Sequence, residues 1–592
     1  MKGYLTAITI LVVLLLSISL PYGVGSPSPT SLVIGNLVTL PSTFFQTSSP
    51  WTGASITEIP YLFPYTMGTS AVAIPGICNV PVPVPGTNDA SWILNLRSTN
   101  YKWSDGVPIN STDLAYSYGV FLPTGPFANQ STYDRWGRER PYGKSITILN
   151  STAIQLNMLG PAPTFLVSWW FYTVYPYHYY KRFTGNNVLQ TTAITGGPFN
   201  SAYIPNNYVP GSNVMNLVPN PSSPSWNGAT PPLDSVTIQF FTNNGAMVSA
   251  LSAGTIDAAQ IAPSDISALS SNPALTITQV DSITFSNLAI SPVEYPFSSV
   301  AFRRGLMDLV PAAEMNQAIF NGRAAIGNPA RLMPQVVPTY WPGPGAPTYN
   351  YSIPNAQANF KAAGLTQNSA GAWVYPNGTK VTVNLEVSNN DPDLVRQGQF
   401  IQSAMTSAGL NVNLALLDPA SVFTDTSSGH YQAVLYLDAN FVSPYKWMAN
   451  AYNTPITWKN STFTSTLNSA LIEVDPAKSL SDIKQAALII AQNAVIRTIL
   501  SKPAYVAYNS QKFTGWEPAV SQAQSIQFFT NQFLSETVLT SVRPASSTTM
   551  TSSSTGVGGL SNTAIIPAVV IVLVVAAIGV YLLKRRGQHA PP

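Results

Sequence analysis

The chain runs to 592 residues, of which 45% are hydrophobic and only 9% charged, with a formal net charge of +3. Such a length admits roughly two to four domains with real cores, while so slight a positive balance gives no field suited to nucleic acid. Cys78 is the lone cysteine, which excludes an intrachain disulfide, and three histidines argue against a zinc enzyme. With so few charges, solubility must come from Ser, Thr, Asn and Tyr, or from attached sugar.

In chain order, Lys2 precedes an apolar run from Leu5 to Leu20, followed by Pro21 and small residues. This reads as a secretory signal peptide over residues 1–25. Ser31 to Val38 is a short apolar strand. Pro75 to Pro85 has too many prolines for a central strand or helix and is expected to run extended over the surface. Trp92, Leu94 and Leu96 alternate with Ile93, Asn95 and Arg97, the period of a half-buried strand. Asp105-Gly106 then supplies a turn, and Asn110 with Asp113 three residues on supplies a helix cap. Ser145 to Leu159 reads as a hairpin about Asn150-Ser151.

Thr164 to Phe183 is the most aromatic stretch, expected to form a helix that buries one face. Val236 to Phe241 is a strand, Met247 to Leu251 a helix, and Ile283 to Ile290 another strand. Asn355 to Gly364 reads as a helix, as does Val395 to Gly409, with strands at Val381 to Val387 and Asn411 to Leu417. Alternation of this kind predicts an α/β lobe. The Ala/Ile spacing from Lys484 to Leu500 predicts a helix. Residues 545–563 are Ser/Thr-rich, a flexible stalk, and Ala564 to Leu583 is a charge-free run long enough to span a bilayer. Lys584, Arg585 and Arg586 place the tail, 584–592, in the cytoplasm and the body outside. Six sequons, at Asn110, Asn129, Asn150, Asn350, Asn377 and Asn460, permit N-glycans.

The stretch around the Asp105-Gly106 turn resembles the signature of the family 5 extracellular solute-binding proteins, the oligopeptide and dipeptide binders of ABC importers. The matching residues are Leu96-Arg97, then Lys102-Trp103-Ser104-Asp105-Gly106-Val107-Pro108, then Asp113 with Tyr116 and Ser117. Gly196-Gly197-Pro198-Phe199 resembles the family's turn back from an inserted lobe. Pro296-Phe297 to Leu306 resembles its Arg-bearing helix, except that two acidic positions are Ser298 and Ser299, and Pro311 stands where an Asp usually opens the next helix. His178 falls in a family turn and is read as structural. The resemblance implies a type II periplasmic-binding-protein fold, α/β and three-lobed. Lobe I would hold about 31–65, 195–282 and 501–542, lobe II about 66–194, and lobe III about 283–500. Ectodomain 26–544 would bind ligand between lobes and deliver it to an ABC permease with its ATPase subunits; archaeal members are anchored in this way.

No catalytic constellation stands out. His178 and His430 lack a nucleophile-elbow context, and Glu58, Glu294 and Glu386 could form a carboxylate pair only by folding together. Binding without turnover and without a cofactor or metal is the expectation. In the resemblance, the loop Tyr431 to Pro444 is where peptide binders use an Asp for the ligand's α-amino group. Here that position is Asn440, whose amide suits hydroxyls better than an ammonium and leans the reading towards an oligosaccharide. Asp438, two residues earlier, could supply the charge for an oligopeptide, and Trp447 and Trp458 are candidate stacking platforms. The rivals are an anchored surface hydrolase of glycans or peptides and a structural or adhesive surface glycoprotein.

Overall fold

The computed structural model describes residues 31–37, 60–67, 73–120, 122, 124–128, 143–166, 173–184, 196–209, 212–222, 230–280, 284–330, 332, 337–389, 391–439, 458–517 and 536–545. The signal-peptide segment, the stalk beyond Ala545, the apolar run 564–583, and Glu58, Asn129, Asn440 and Trp447 lie outside the described residues. Among the described residues, no helix is long and apolar enough to cross a membrane.

Three sheets organise the body. The first has seven strands, in the order Leu275–Val280, Ala504–Asn509, Ala258–Ile261, Ser31–Asn36, Ser235–Phe240, Val214–Pro219 and Tyr203–Pro205. Ser31–Asn36 runs parallel to both of its neighbours, and the outer strands are antiparallel. The second sheet is an antiparallel four-stranded insertion, Val82–Pro83, Ser91–Asn95, Ala153–Met158 and Gly143–Ile148. Its alternation buries Trp92 and Leu94 and leaves Asn95 exposed, while the proline-rich segment contributes only a two-residue edge strand. The third sheet has six strands: Ala325–Ile326, Ile496–Ser501, Thr284–Ile290, Ala433–Ala439, Thr382–Ser388 and Asn411–Leu417.

The inserted sheet does not have a core of its own. One continuous cluster joins Leu32 and Ile34 of the first sheet to Trp92, Trp103, Tyr116, Tyr175 and Tyr180 of the insertion. The rings meet edge-on and tilted: Tyr61 lies 5.1 Å from Tyr175 and 5.4 Å from Phe199 between ring centres. The aromatic run therefore serves as core payload. Of its expected helix the described residues hold Phe165–Leu166 and the single turn Tyr177–Tyr180, which the extended Pro176 precedes; residues 167–172 lie outside the described residues.

The third lobe packs both faces of its sheet. One face buries Phe302, Leu306, Phe360 and Trp373; the other buries Trp458, Phe463 and Ile483. One expectation is corrected here. The predicted helix Lys484 to Leu500 in fact runs Pro476–Asn493, because Asp475 caps its first turn and Ala494 ends it in the left-handed region. The β-branched residues that follow form the wholly buried strand Ile496–Ser501. Pro311 sits at the N-cap of Ala312–Phe320, the helix it was expected to precede.

The two serines in place of acids have a structural counterpart. Arg303 is buried and donates to the carbonyls of Phe297 at 2.7 Å, Ser298 at 3.0 Å and Asn493 at 2.9 Å. Arg304 donates to Gln492 O, so the two arginines cap the end of Pro476–Asn493. Burial lowers the Arg303 pKa to about 10, which leaves it charged.

Candidate functional site

The signature turn is a structural hub. Gly106 lies at φ +86°, which a residue with a Cβ resists, and the turn closes with Gly106 N donating to Trp103 O. The Asp105 carboxylate accepts from Val107 N at 3.1 Å and meets His178 Nε2 at 2.9 Å. Trp103 is fully buried, and its indole N–H donates to Asp113 Oδ2 at 3.2 Å. The Asp113 carboxylate also accepts from Asn110 N at 3.0 Å and Tyr177 N at 2.8 Å; burial raises its pKa against those bonds. Ser104 exchanges hydrogen bonds with Phe199, whose turn carries Gly196, Gly197 and Pro198. A Cβ at Gly197 would come within 3.1 Å of the Tyr179 ring. Pro108 pairs with Lys102 across the turn. The Ser104–Phe199 bonds tie this turn of the insertion to the segment that returns to the first sheet.

The opening is defined by strand direction. Ser31–Asn36, Ser235–Phe240 and Ala258–Ile261 end at one margin of the first sheet, where Val280 registers with Ala504. Thr382–Ser388 and Ala433–Ala439 end at one margin of the third sheet, where Thr284 registers with Ala439 and Phe285 with Ser501. The chain crosses between the lobes at 280–284 and 501–504, so both crossings join the two carboxyl margins. In open α/β sheets that margin is where ligands bind.

Polar groups gather along it. Lys502, on the second crossing, donates to Asp391 at 2.8 Å and lies 3.3 Å from Asp393. Burial works against its ammonium, but the two carboxylates outweigh that and raise its pKa. Asp391 also caps Pro392–Ser407 by accepting from Asp393 N and Leu394 N. Across the margin, Asn244 donates to both oxygens of Asp265, at 3.0 and 2.9 Å.

Of the residues singled out from sequence, Asp438 lies on this margin, its backbone opposite Phe285. Asn440 and Trp447 fall outside the described residues. Trp458 is corrected: it is 5% exposed and packs its ring 5.0 Å from Phe463 in the third-lobe core, so it offers no open stacking face. Glu294 is exposed, and Glu386 is half-buried with Asp425, a carboxyl not foreseen, as its repelling neighbour. Asn110 and Asn460 act as helix caps, whereas Asn150, Asn350 and Asn377 lie exposed. The Lys502 cluster escaped sequence reasoning, because only the Asp391-Pro392 cap signal is local.

Two α/β lobes joined by paired crossings at their carboxyl margins define a clamshell binding protein. Residues 86–460 match the family described as bacterial extracellular solute-binding proteins, family 5, middle region, and the chain belongs to that family. It is a family of binding proteins rather than enzymes. A protein of Brucella ovis, by name an ABC transporter peptide-binding protein, is 21% identical over 341 residues. That match covers 57% of this chain and 58% of the relative's length. The fold is similar to that of an oligopeptide-binding protein of Thermotoga maritima, with TM-score 0.74 and 16% identity over 88% of this chain and all of that one. A structure of the Thermotoga protein with bound mannohexaose gives TM-score 0.70 and 16% identity, over 87% and 99% of the two chains. AppA of Bacillus subtilis, solved with a nonapeptide, gives TM-score 0.68 and 13% identity over 87% and 99%. These likenesses establish the α/β periplasmic-binding-protein fold.

Proposed function

We propose that this chain is the substrate-binding component of an ABC importer, capturing an oligomeric solute between its first and third lobes and presenting it to the permease and its ATPase subunits. The observation that carries the reading is the meeting of two carboxyl margins at paired crossings, a geometry suited to closing on a ligand. An oligosaccharide is favoured over a peptide, because Asn440 stands where peptide binders carry an acid. The structure of the Thermotoga protein with bound mannohexaose supports an oligosaccharide as the kind of ligand this fold accepts. The peptide reading draws on Asp438 and on the Brucella relative's name. In the same proposal the chain is exported by residues 1–25 and held at the cell surface by 564–583, with the stalk as spacer.

The test is thermal unfolding of the purified protein against panels of short oligosaccharides and short peptides, since a specific ligand raises the midpoint by mass action. Stabilisation by an oligosaccharide recovered intact supports the reading. Stabilisation only by peptides with a free amino terminus replaces the sugar preference, and recovery of cleaved ligand overturns the binding role.

A further inference from the structure

Two of the sequons share a local geometry that the other described ones lack. Asn150-Ser151-Thr152 turns the hairpin between Gly143–Ile148 and Ala153–Met158, closed by Leu149 N donating to Ala153 O at 3.0 Å. Asn377-Gly378-Thr379 turns a second one, where Val374 bridges to Lys380 and Gly378 N donates to Tyr375 O at 2.8 Å. In each, the asparagine Oδ1 accepts two bonds from the threonine two residues on. Thr152 gives its backbone N–H at 2.8 Å and its hydroxyl at 2.9 Å; Thr379 gives the same pair at 3.0 and 2.7 Å. The carboxamide is thus held by its oxygen alone, and among the described residues neither Nδ2 has a hydrogen-bond partner. Both asparagines are exposed.

The other described sequons commit their groups elsewhere. Asn110 is a half-buried cap of Ser111–Gly119, with Ser111 and Asp113 buried beside it. Asn460 accepts from Phe463 N at 2.9 Å, one residue beyond its sequon, and caps Ser461–Ile472. Each of these tripeptides is the first turn of a helix, which a transferase groove cannot take up without breaking the cap. Asn350 is exposed, but the Ser352 hydroxyl of its sequon accepts from Asn355 N at 3.3 Å and caps Ile353–Ala362, while Ser352 N donates to Asp308 O at 2.9 Å.

We propose that Asn150 and Asn377 carry N-linked glycans, and that Asn110, Asn350 and Asn460 stay bare. In the transfer, Nδ2 attacks C1 of an oligosaccharide carried on a lipid phosphate. The N–C1 bond forms as the C1–O bond to phosphate breaks, Nδ2 gives up one proton, and the lipid phosphate leaves. The two bonds to Oδ1 hold the carboxamide in one orientation, so Nδ2 is presented without the loop having to refold. The proposal rests on the reading of the chain as exported. It supplies what the composition lacks, since with only 9% charged residues the sugar hydroxyls at two hairpin tips keep the surface solvated. The Asn377 turn feeds the amino end of Thr382–Ser388, whose carboxyl end lies at the margin between the lobes. A strand of that length, at about 3.3 Å per residue, puts roughly 20 Å between the turn and the opening, so a glycan there leaves ligand entry free.

The experiment is glycopeptide mass spectrometry on the full chain purified from its native host, with surface biotinylation of the intact cells alongside. Peptides holding Asn150 and Asn377 should carry sugar mass increments, and those holding Asn110, Asn350 and Asn460 should be unmodified. Thr152→Ala and Thr379→Ala should each remove one glycan from the intact mass, whereas Thr379→Ser keeps a hydroxyl and should keep its glycan. Bare Asn150 and Asn377 on a chain that is labelled at the surface overturn the proposal alone. Occupancy at Asn110, Asn350 or Asn460 equal to that at the two turns overturns it as well. Bare sites on a chain that the surface label never reaches count against the export reading too.

Discussion

Replacing Asp113 by alanine should unfold the protein at distinctly lower urea concentration while leaving any ligand affinity of the folded fraction intact. The carboxylate accepts from three donors, Asn110 N, Trp103 Nε1 and Tyr177 N, at 3.0, 3.2 and 2.8 Å. An alanine leaves all three without an acceptor in a site that is 3% exposed. Each buried donor left unmade costs about 1–3 kcal/mol, which puts the total at about 3–6 kcal/mol once partial solvation of the cap is allowed. Asp113→Asn keeps one acceptor oxygen and should lose about half as much. Trp103→Phe gives up one bond and little volume. The assay is urea unfolding followed by tryptophan fluorescence, with calorimetric titration of ligand on the same preparations. A D113A protein within about 1 kcal/mol of wild type would refute the hub, as would lost affinity at unchanged stability.

Stability should rise as pH falls from about 7 towards 4.5. Burial together with Asp425 pushes Glu386 up to about 7 from an ordinary 4.5, and burial raises Asp308 to about 6 from 3.8. A carboxyl whose folded pKa exceeds its unfolded one binds more protons when folded, so its contribution is fully present below the unfolded value and is lost as pH rises through the folded one. A higher melting temperature at pH 7.5 than at pH 5 would contradict this, and Glu386→Gln should flatten the upper part of the curve. Arg303→Ala removes three charge-assisted bonds and should cost about 3–5 kcal/mol. Because its acceptors are carbonyls, that loss should be the same at pH 4 and pH 7; a loss confined to neutral pH would implicate an unseen carboxylate. Lys512 lies 3.0 Å from the buried Asp257, whose pKa is raised by burial. Lys512→Met should cost about 1–2 kcal/mol at pH 7, discounted for a half-exposed ammonium, and nothing near pH 3, where Asp257 is protonated.

Much of the fold was legible because its signals are local. The alternation at Trp92 to Leu96, the Asn110–Asp113 cap and the hairpin about Asn150 each need only a few neighbouring residues. The boundary between Asn493 and Ile496 was missed because an apolar run continues across it, and only the left-handed Ala494 separates helix from strand. Trp458 failed as a site residue for a related reason: a tryptophan suited to stacking on a sugar suits a core equally well. The Lys502 cluster brings together groups 111 residues apart, and Arg323 meets Tyr505 across 182. Such pairings follow from sheet register, which composition and spacing do not carry.

The aromatic core shared by the first sheet and its insertion has a mechanical consequence. Three lobes suggest two independent joints, but Tyr61, Trp103, Tyr175 and Phe199 interlock across one of the boundaries. Among the described residues, the first and third sheets are joined at the crossings 280–284 and 501–504. The expected motion on capture is therefore the third lobe closing against one body made of the first sheet and its insertion. A spectroscopic ruler between Lys102 and Lys512 should stay constant on binding, while one from either to Lys361 in the third lobe should shorten.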